Sequence, residues 1–371
     1  MIEPDNCRLF TPYTNPETGI TSYVLTRRVA PVQEGFYFVN DSMSADGRYL
    51  WFYCGFPPSG NGAYGRTLGV VDFETGEVRH FPETQFQHAS PWVDPESGTV
   101  YWTSGASVWC RSPEPEDHAR LVNSLPEEVV KNRSVPRLAT HLTRSAHGEE
   151  FFVDAKVGVQ IIHGSLPLDG GDFEFWQHYD RNYNHAQFSP TDPDMVLFAQ
   201  ENHSDPITGL RFGIKDRMHL IRRGEAPRPI FPQPTRVTHE WWDADGEHLW
   251  CVWGDETWKV SVEDAEVEKI KFPRHCWHSH CTREGRLIVG DANTEFHRGC
   301  ASTVHFMNRD TGQTVVLAEN EERNDYAGRN YHIDPHPRFC CDDRYVVFTT
   351  TVHGKVDVAM ARTDKLIEQT E

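Results

Sequence analysis

No apolar run in this sequence approaches the length needed to span a bilayer, so nothing in it reads as a membrane helix. The first residues, Met1 to Cys7, carry neither the basic stretch nor the apolar core of a secretory signal, and a cytoplasmic protein without membrane association is expected. Positive charge is scarce: 36 Lys and Arg stand against 55 Asp and Glu, a formal net charge of −19. That balance argues against a nucleic-acid partner, whose footprint would be basic. It also means that an anionic ligand must be drawn in by local cations or a metal rather than by the field of the whole molecule. Nine cysteines, an odd number with Cys340 and Cys341 adjacent, do not form a disulfide framework and read as mostly buried free thiols. There is no G-x-S-x-G elbow, no P-loop and no long amphipathic helical stretch.

What the sequence does hold is aromatic side chains, 12% of residues with eleven tryptophans, in a pattern that repeats. Each repeat opens on a His or Ser and a short alternating stretch, passes through a turn rich in Asp and Gly, and ends in a strand of Trp, Tyr, Val and Phe. Seven such units run from Ser42–Phe52 through those opening at Ser90, His141, His185, His239 and His278 to the unit at His336. Their spacing of roughly fifty residues suits a blade of four short strands, and an all-β, seven-bladed propeller of antiparallel blades is expected over residues 1–371 as one domain. Hairpin signatures at Val70–Val78, Met218–Gly224, Trp258–Asp264 and Val304–Gly312 supply the outer strand pairs. Residues 113–137 and 293–304 read as rim loops or short helices. A strand within Ile20–Arg27 is expected to close the ring on the blade ending at Lys355–Arg362, removing the exposed edges that an open ring would leave.

In such a ring the entry ends of the innermost strands converge on one mouth of the channel. The repeat places His185, His239, His278 and His336 there, from four blades. Two segments are richer still. His332, Asp334 and His336 sit at alternate positions held extended by Pro335 and Pro337, so all three can face one way. His275-Cys276-Trp277-His278-Ser279-His280 has the same alternation. Imidazoles with a carboxylate and open positions suit a catalytic Mn, Fe, Ni or Zn site rather than Ca or a thiolate-preferring metal.

The stretches Asn184–Pro190, Thr238–Gly246, Gly285–Asp291 and His336–Phe339, taken in order, resemble the oligogalacturonide lyases, a polysaccharide lyase family built on a seven-bladed propeller. The likeness covers roughly the second half of the chain, from Asn184 to Thr350. It implies β-elimination on an anionic uronate oligosaccharide with a divalent metal, typically manganese. By the same resemblance His278 and His336 match metal ligands, His239 the base and Arg217 the arginine that neutralises the uronate carboxylate. Asp334 stands where the family has a third histidine and Tyr331 where it has a glutamine, so Asp334 with His332 or His280 is left to complete the ligand set. His185 is a further catalytic candidate. Tyr331, Tyr183, Trp242 and Arg338 are the expected substrate contacts, with Tyr331, Tyr183 and water as candidate acids. A non-enzymatic interaction platform and a metal-dependent hydrolase or isomerase remain as alternatives, because a fold does not fix a reaction.

Overall fold

The structure is a computed structural model, and it describes residues 3–59, 64–272, 276–293, 300–323, 325, 331 and 333–371. It is a ring of seven antiparallel blades, a seven-bladed β-propeller. The innermost strand of blade 1 is Val32–Glu34, followed outward by Tyr49–Gly55, Tyr64–Asp72 and Glu77–Gln87. The innermost strands of blades 2 to 7 are Trp92–Val93, Thr143–Arg144, Tyr183–Phe188, Thr238–Trp242, His278–Cys281 and Arg338–Cys340. All four outer hairpins expected from the sequence pair as outer strands. Residues 113–137 depart from expectation: Arg120–Ser124 forms the outer strand of blade 2, and only Glu127–Val130 is helical.

The alternating pattern forms strands because both faces of each blade pack on neighbouring blades, and the second strands are accordingly rich in buried apolar residues. Leu50, Trp51 and Phe52 of blade 1 are fully buried, as are Leu249, Trp250 and Cys251 of blade 5. Closure is made by the N-terminal segment. Thr21–Leu25 pairs antiparallel with Asp357–Arg362 of blade 7, with Tyr23 opposite Met360, and Phe10–Thr14 adds a fifth strand outside it. Eight of the nine cysteines are buried and all are free thiols. Among the described residues no helix is long and apolar enough to cross a membrane.

One segment of blade 1 leaves the sheet and threads the channel. Gly35 and Tyr37 line a cavity at one mouth, Val39 and Asp41 a second cavity at the other, and Phe38 between them is fully buried. Arg338 of blade 7 donates through Nη1 to the carbonyls of Phe38 and Val39 at 2.6 and 2.7 Å, and Asn40 donates to the carbonyls of Pro91 and Leu142. These bonds satisfy backbone groups that a strand would otherwise have paired. The channel is therefore divided into two back-to-back pockets.

Candidate active site

The cavity at the first mouth has a volume of about 460 Å³ and is lined by a histidine from each of six blades: His88, His141, His185, His239, His278 and His336. Tyr37 fills the place of the seventh. Its ring stacks on His141 at 4.9 Å and meets His336 at 4.7 Å and His278 at 5.7 Å.

Local backbone geometry aims several of these rings. His88, His185, His239 and His336 all have positive φ, between 46° and 54°, a left-handed conformation that costs a non-glycine residue about 1–2 kcal/mol. In blades 4 and 5 the strand register also shifts, between Asn184 and Gln187 and between Thr238 and Trp241. A bulge of this kind re-aims one side chain and breaks the alternation on either side of it. The same local strain at the same blade position, four times over, is the mark of a site rather than of core packing.

Blades 6 and 7 build a metal-competent group. One donor atom each from His278, Asp334 and His336 lies within 4.8 Å of the others, and all three residues are buried. The Nδ1 of His278 lies 2.9 Å from the carboxylate of Asp291. The Asp291 carboxylate also accepts the backbone N–H of His278 at 2.8 Å and that of His336 at 3.1 Å. A carboxylate behind a ligating histidine is the usual support of such sites. Two imidazoles and one carboxylate with open positions suit a divalent transition metal, so the donor set fits the cation expected from the sequence.

Blades 4 and 5 hold the arginine. Arg217 precedes the third strand of blade 4 and lines the pocket together with Glu201, Asn202 and Ile214 of the segment before it. Its Nε donates to Glu240 at 2.7 Å and its Nη1 to Glu201, so the strand that carries His239 also anchors Arg217. Burial works against its charge, but Glu240 and Glu201 outweigh burial and hold the guanidinium protonated. His239 packs 4.3 Å from the His278 ring, centroid to centroid. His185 and His141 share a hydrogen bond of 3.1 Å between ring nitrogens. Burial lowers the pKa of His185 well below the usual range and pushes His88 and His141 down to about 3, so all three are neutral near pH 7.

The remaining expected site residues fall elsewhere or outside the described residues. His332 lies outside the described residues. His280 is two residues beyond His278 and lines the opposite pocket, of about 310 Å³, together with Trp242 and Arg338. Two strand residues advance about 6.6 Å along the channel, which takes His280 past the plug formed by Phe38. Arg338 follows His336 by two residues, and Trp242 follows His239 by three. Both histidines have the left-handed backbone, and the residues that follow line the opposite pocket. Tyr183 packs on Tyr179 and Phe198, and its hydroxyl accepts from Gln200, because the bulge after Asn184 breaks its alternation with His185. Tyr331 is fully buried, its ring against Gly55 and its hydroxyl donating to the carbonyl of Ser59; it does not line the histidine pocket. His88, His141, Tyr37, Tyr53 and Arg66 line the pocket and were not singled out from sequence. A signal existed for His88: His88-Ala89 and His185-Ala186 open their blades alike.

No family model matches the chain. A stretch of 201 residues is 24% identical to the oligogalacturonate lyase of Dickeya dadantii (strain 3937), spanning 48% of this chain and 49% of that protein, about half the length of each. Among solved structures, an oligogalacturonate lyase in complex with manganese matches with a TM-score of 0.73 at 18% identity, over 95% of this chain and 96% of that one. An oligogalacturonate lyase from Vibrio parahaemolyticus matches with a TM-score of 0.72, at the same identity and coverage. A Kuenenia stuttgartiensis hydrazine synthase also shares the architecture, with a TM-score of 0.55 at 11% identity over 91% of this chain and 98% of that one, so the propeller alone does not fix the chemistry. The resemblance to the oligogalacturonate lyases is thus met twice, by sequence in a curated relative and by fold in two solved structures.

Proposed function

We propose that this chain is a lyase that cleaves oligogalacturonate by metal-assisted β-elimination. The observation that carries the reading is convergence: the His278–Asp334–His336 group, His239 and Arg217 come from three adjacent blades and one loop, and His278, His336, His239 and Arg217 line one cavity. The names of the similar proteins support the same substrate class, and one of those structures holds manganese.

The chemistry asks for these residue types. The proton at C5 of a uronate is weakly acidic, and its removal places enolate-like charge on the carboxylate. His278, Asp334 and His336 would hold the cation, manganese by the same likeness, and bound there it would neutralise that charge as a Lewis acid. Arg217 is held by Glu240 through Nε and Nη2 and by Glu201 through Nη1, and it lines the pocket, where its charge would face the substrate carboxylate. His239 stands beside the His278 ring and is the base that takes the C5 proton. Tyr37 and Phe38 form the floor and close the site against water from the far mouth. No nucleophile is required.

The test is to incubate the protein with oligogalacturonate and manganese and follow the ultraviolet absorbance of the unsaturated uronate, with and without chelator. Absorbance that rises only with metal supports the reading. No rise in either case sinks it and favours a non-enzymatic platform.

A further inference from the structure

We propose that Tyr53 is the proton donor to the departing C4 oxygen of the substrate. This rests on the lyase reading above and adds the acid that the reaction still lacks.

Elimination leaves the C4 oxygen with an extra electron pair, and a sugar alkoxide departs slowly unless it is protonated as it leaves. In a galacturonate ring the C5 hydrogen and the C4 oxygen stand on opposite faces. The donor therefore has to face the base across the bound sugar. His239 belongs to blade 5, Arg217 to blade 4, and the metal-competent group to blades 6 and 7. Three steps around the ring from blade 5, as far as a ring of seven allows, blades 1 and 2 present Tyr53, Arg66 and His88 to the cavity.

Among these, only Tyr53 has a proton to give. Arg66 does not release one in a protein, and it is committed to Glu34 at 2.6 Å. His88 is neutral, because burial pushes its pKa down to about 3. Tyr37, on the floor, lies flat on His141, and burial together with Glu240 raises its pKa well above the ordinary value.

Tyr53 is supported differently. Its oxygen accepts the backbone N–H of Tyr37 at 3.3 Å, which leaves its own hydrogen for another acceptor. The Arg66 guanidinium lies 4.4 Å over its ring. Both contacts stabilise the phenolate that remains after donation. Burial raises the pKa to about 12, with Arg66 and the Tyr37 N–H holding it back, and a sugar hydroxyl is a weaker acid still.

The step balances. The C5–H bond breaks and its proton passes to His239, while the bonding pair becomes the C4–C5 double bond. The C4–O bond breaks with its pair on oxygen, which takes the hydroxyl proton of Tyr53. Proton exchange through water then restores the imidazole and the phenol.

The experiment compares Tyr53→Phe with wild type on two substrates: oligogalacturonate, and a galacturonide whose C4 oxygen carries a 4-nitrophenyl group that leaves without protonation. The expected result is a loss of roughly 10²- to 10⁴-fold on the first and less than about tenfold on the second, with metal content and melting temperature unchanged. An equal loss on both, or no loss on the first, would overturn the assignment. Wild type alone gives a second reading that does not depend on the variant folding. Across C4 aryl ethers of graded acidity its rate should vary little, and a steep dependence would overturn the proposal. If wild type forms unsaturated product from neither substrate, the lyase reading falls, and this assignment falls with it.

Discussion

The carboxylate of Asp291 lies 2.9 Å from Nδ1 of His278, one blade strand behind the pocket, with both residues fully buried. The contact fixes which ring nitrogen of His278 faces the cavity. The same carboxylate also accepts the backbone N–H of His336, so one second-strand residue orients donors from two blades. Asp291→Asn should leave the fold intact but lower metal affinity by roughly 10- to 100-fold, read from a metal titration. Unchanged affinity would mean that Asp291 is only a packing residue.

Removing a ligand acts more bluntly. His336→Ala and Asp334→Ala should each bring the metal content of the purified protein close to zero, measured by elemental analysis after dialysis against limiting manganese. Full retention of metal in either variant contradicts the proposed ligand set.

His239→Ala separates the base from the ligands. It should keep its metal and lose roughly 10²- to 10⁴-fold in turnover. Arg217→Lys should also suffer, because an ammonium cannot reproduce the planar fork that bridges Glu240 and Glu201 and holds the charge at the pocket wall. If His239→Ala loses its metal, the base role moves to His185.

Acid stability tests the buried histidines away from the pocket. His163 of blade 3 is enclosed by the rings of Phe152, Tyr179 and Phe198, and burial pushes its pKa down to about 3. Unfolded, a histidine titrates near 6.5. Above that pH neither state is protonated and His163 contributes nothing to the pH dependence. As the pH falls from about 6.5 toward 3 the unfolded chain binds a proton that the folded one refuses, costing about 1.4 kcal/mol of stability per pH unit. His163→Phe should therefore raise the melting temperature, and by more at pH 5 than at pH 7. An equal shift at both would show that the ring titrates freely in the folded state.

The fold was legible because propeller blades write themselves into sequence locally: an apolar second strand, a turn of Asp and Gly, and a hairpin, repeated. Even the closing strand could be placed, since Thr21–Leu25 falls within the expected Ile20–Arg27 and pairs with Asp357–Arg362 of the last blade. The site was legible only in part. Strand alternation brought Asp334 and His336 together, yet the same rule put His280 beside His278 although the two line different pockets. Alternation fixes the face but not the depth, and two residues carry His280 past the Phe38 plug; in blades 4 and 5 left-handed residues and bulges interrupt the alternation itself. Nothing in the run Phe36-Tyr37-Phe38-Val39 says that it threads the channel, because that path is set by Arg338 and Asn40, whose partners are distant in sequence.

The most direct measurement is a paired one: unsaturated uronate by ultraviolet absorbance and new reducing ends by chemical assay, from one incubation with oligogalacturonate and manganese. Elimination yields one unsaturated product for every new reducing end, and both should vanish with chelator. Reducing ends without absorbance would make this chain a hydrolase and contradict the proposed roles of His239 as base and Arg217 as carboxylate partner.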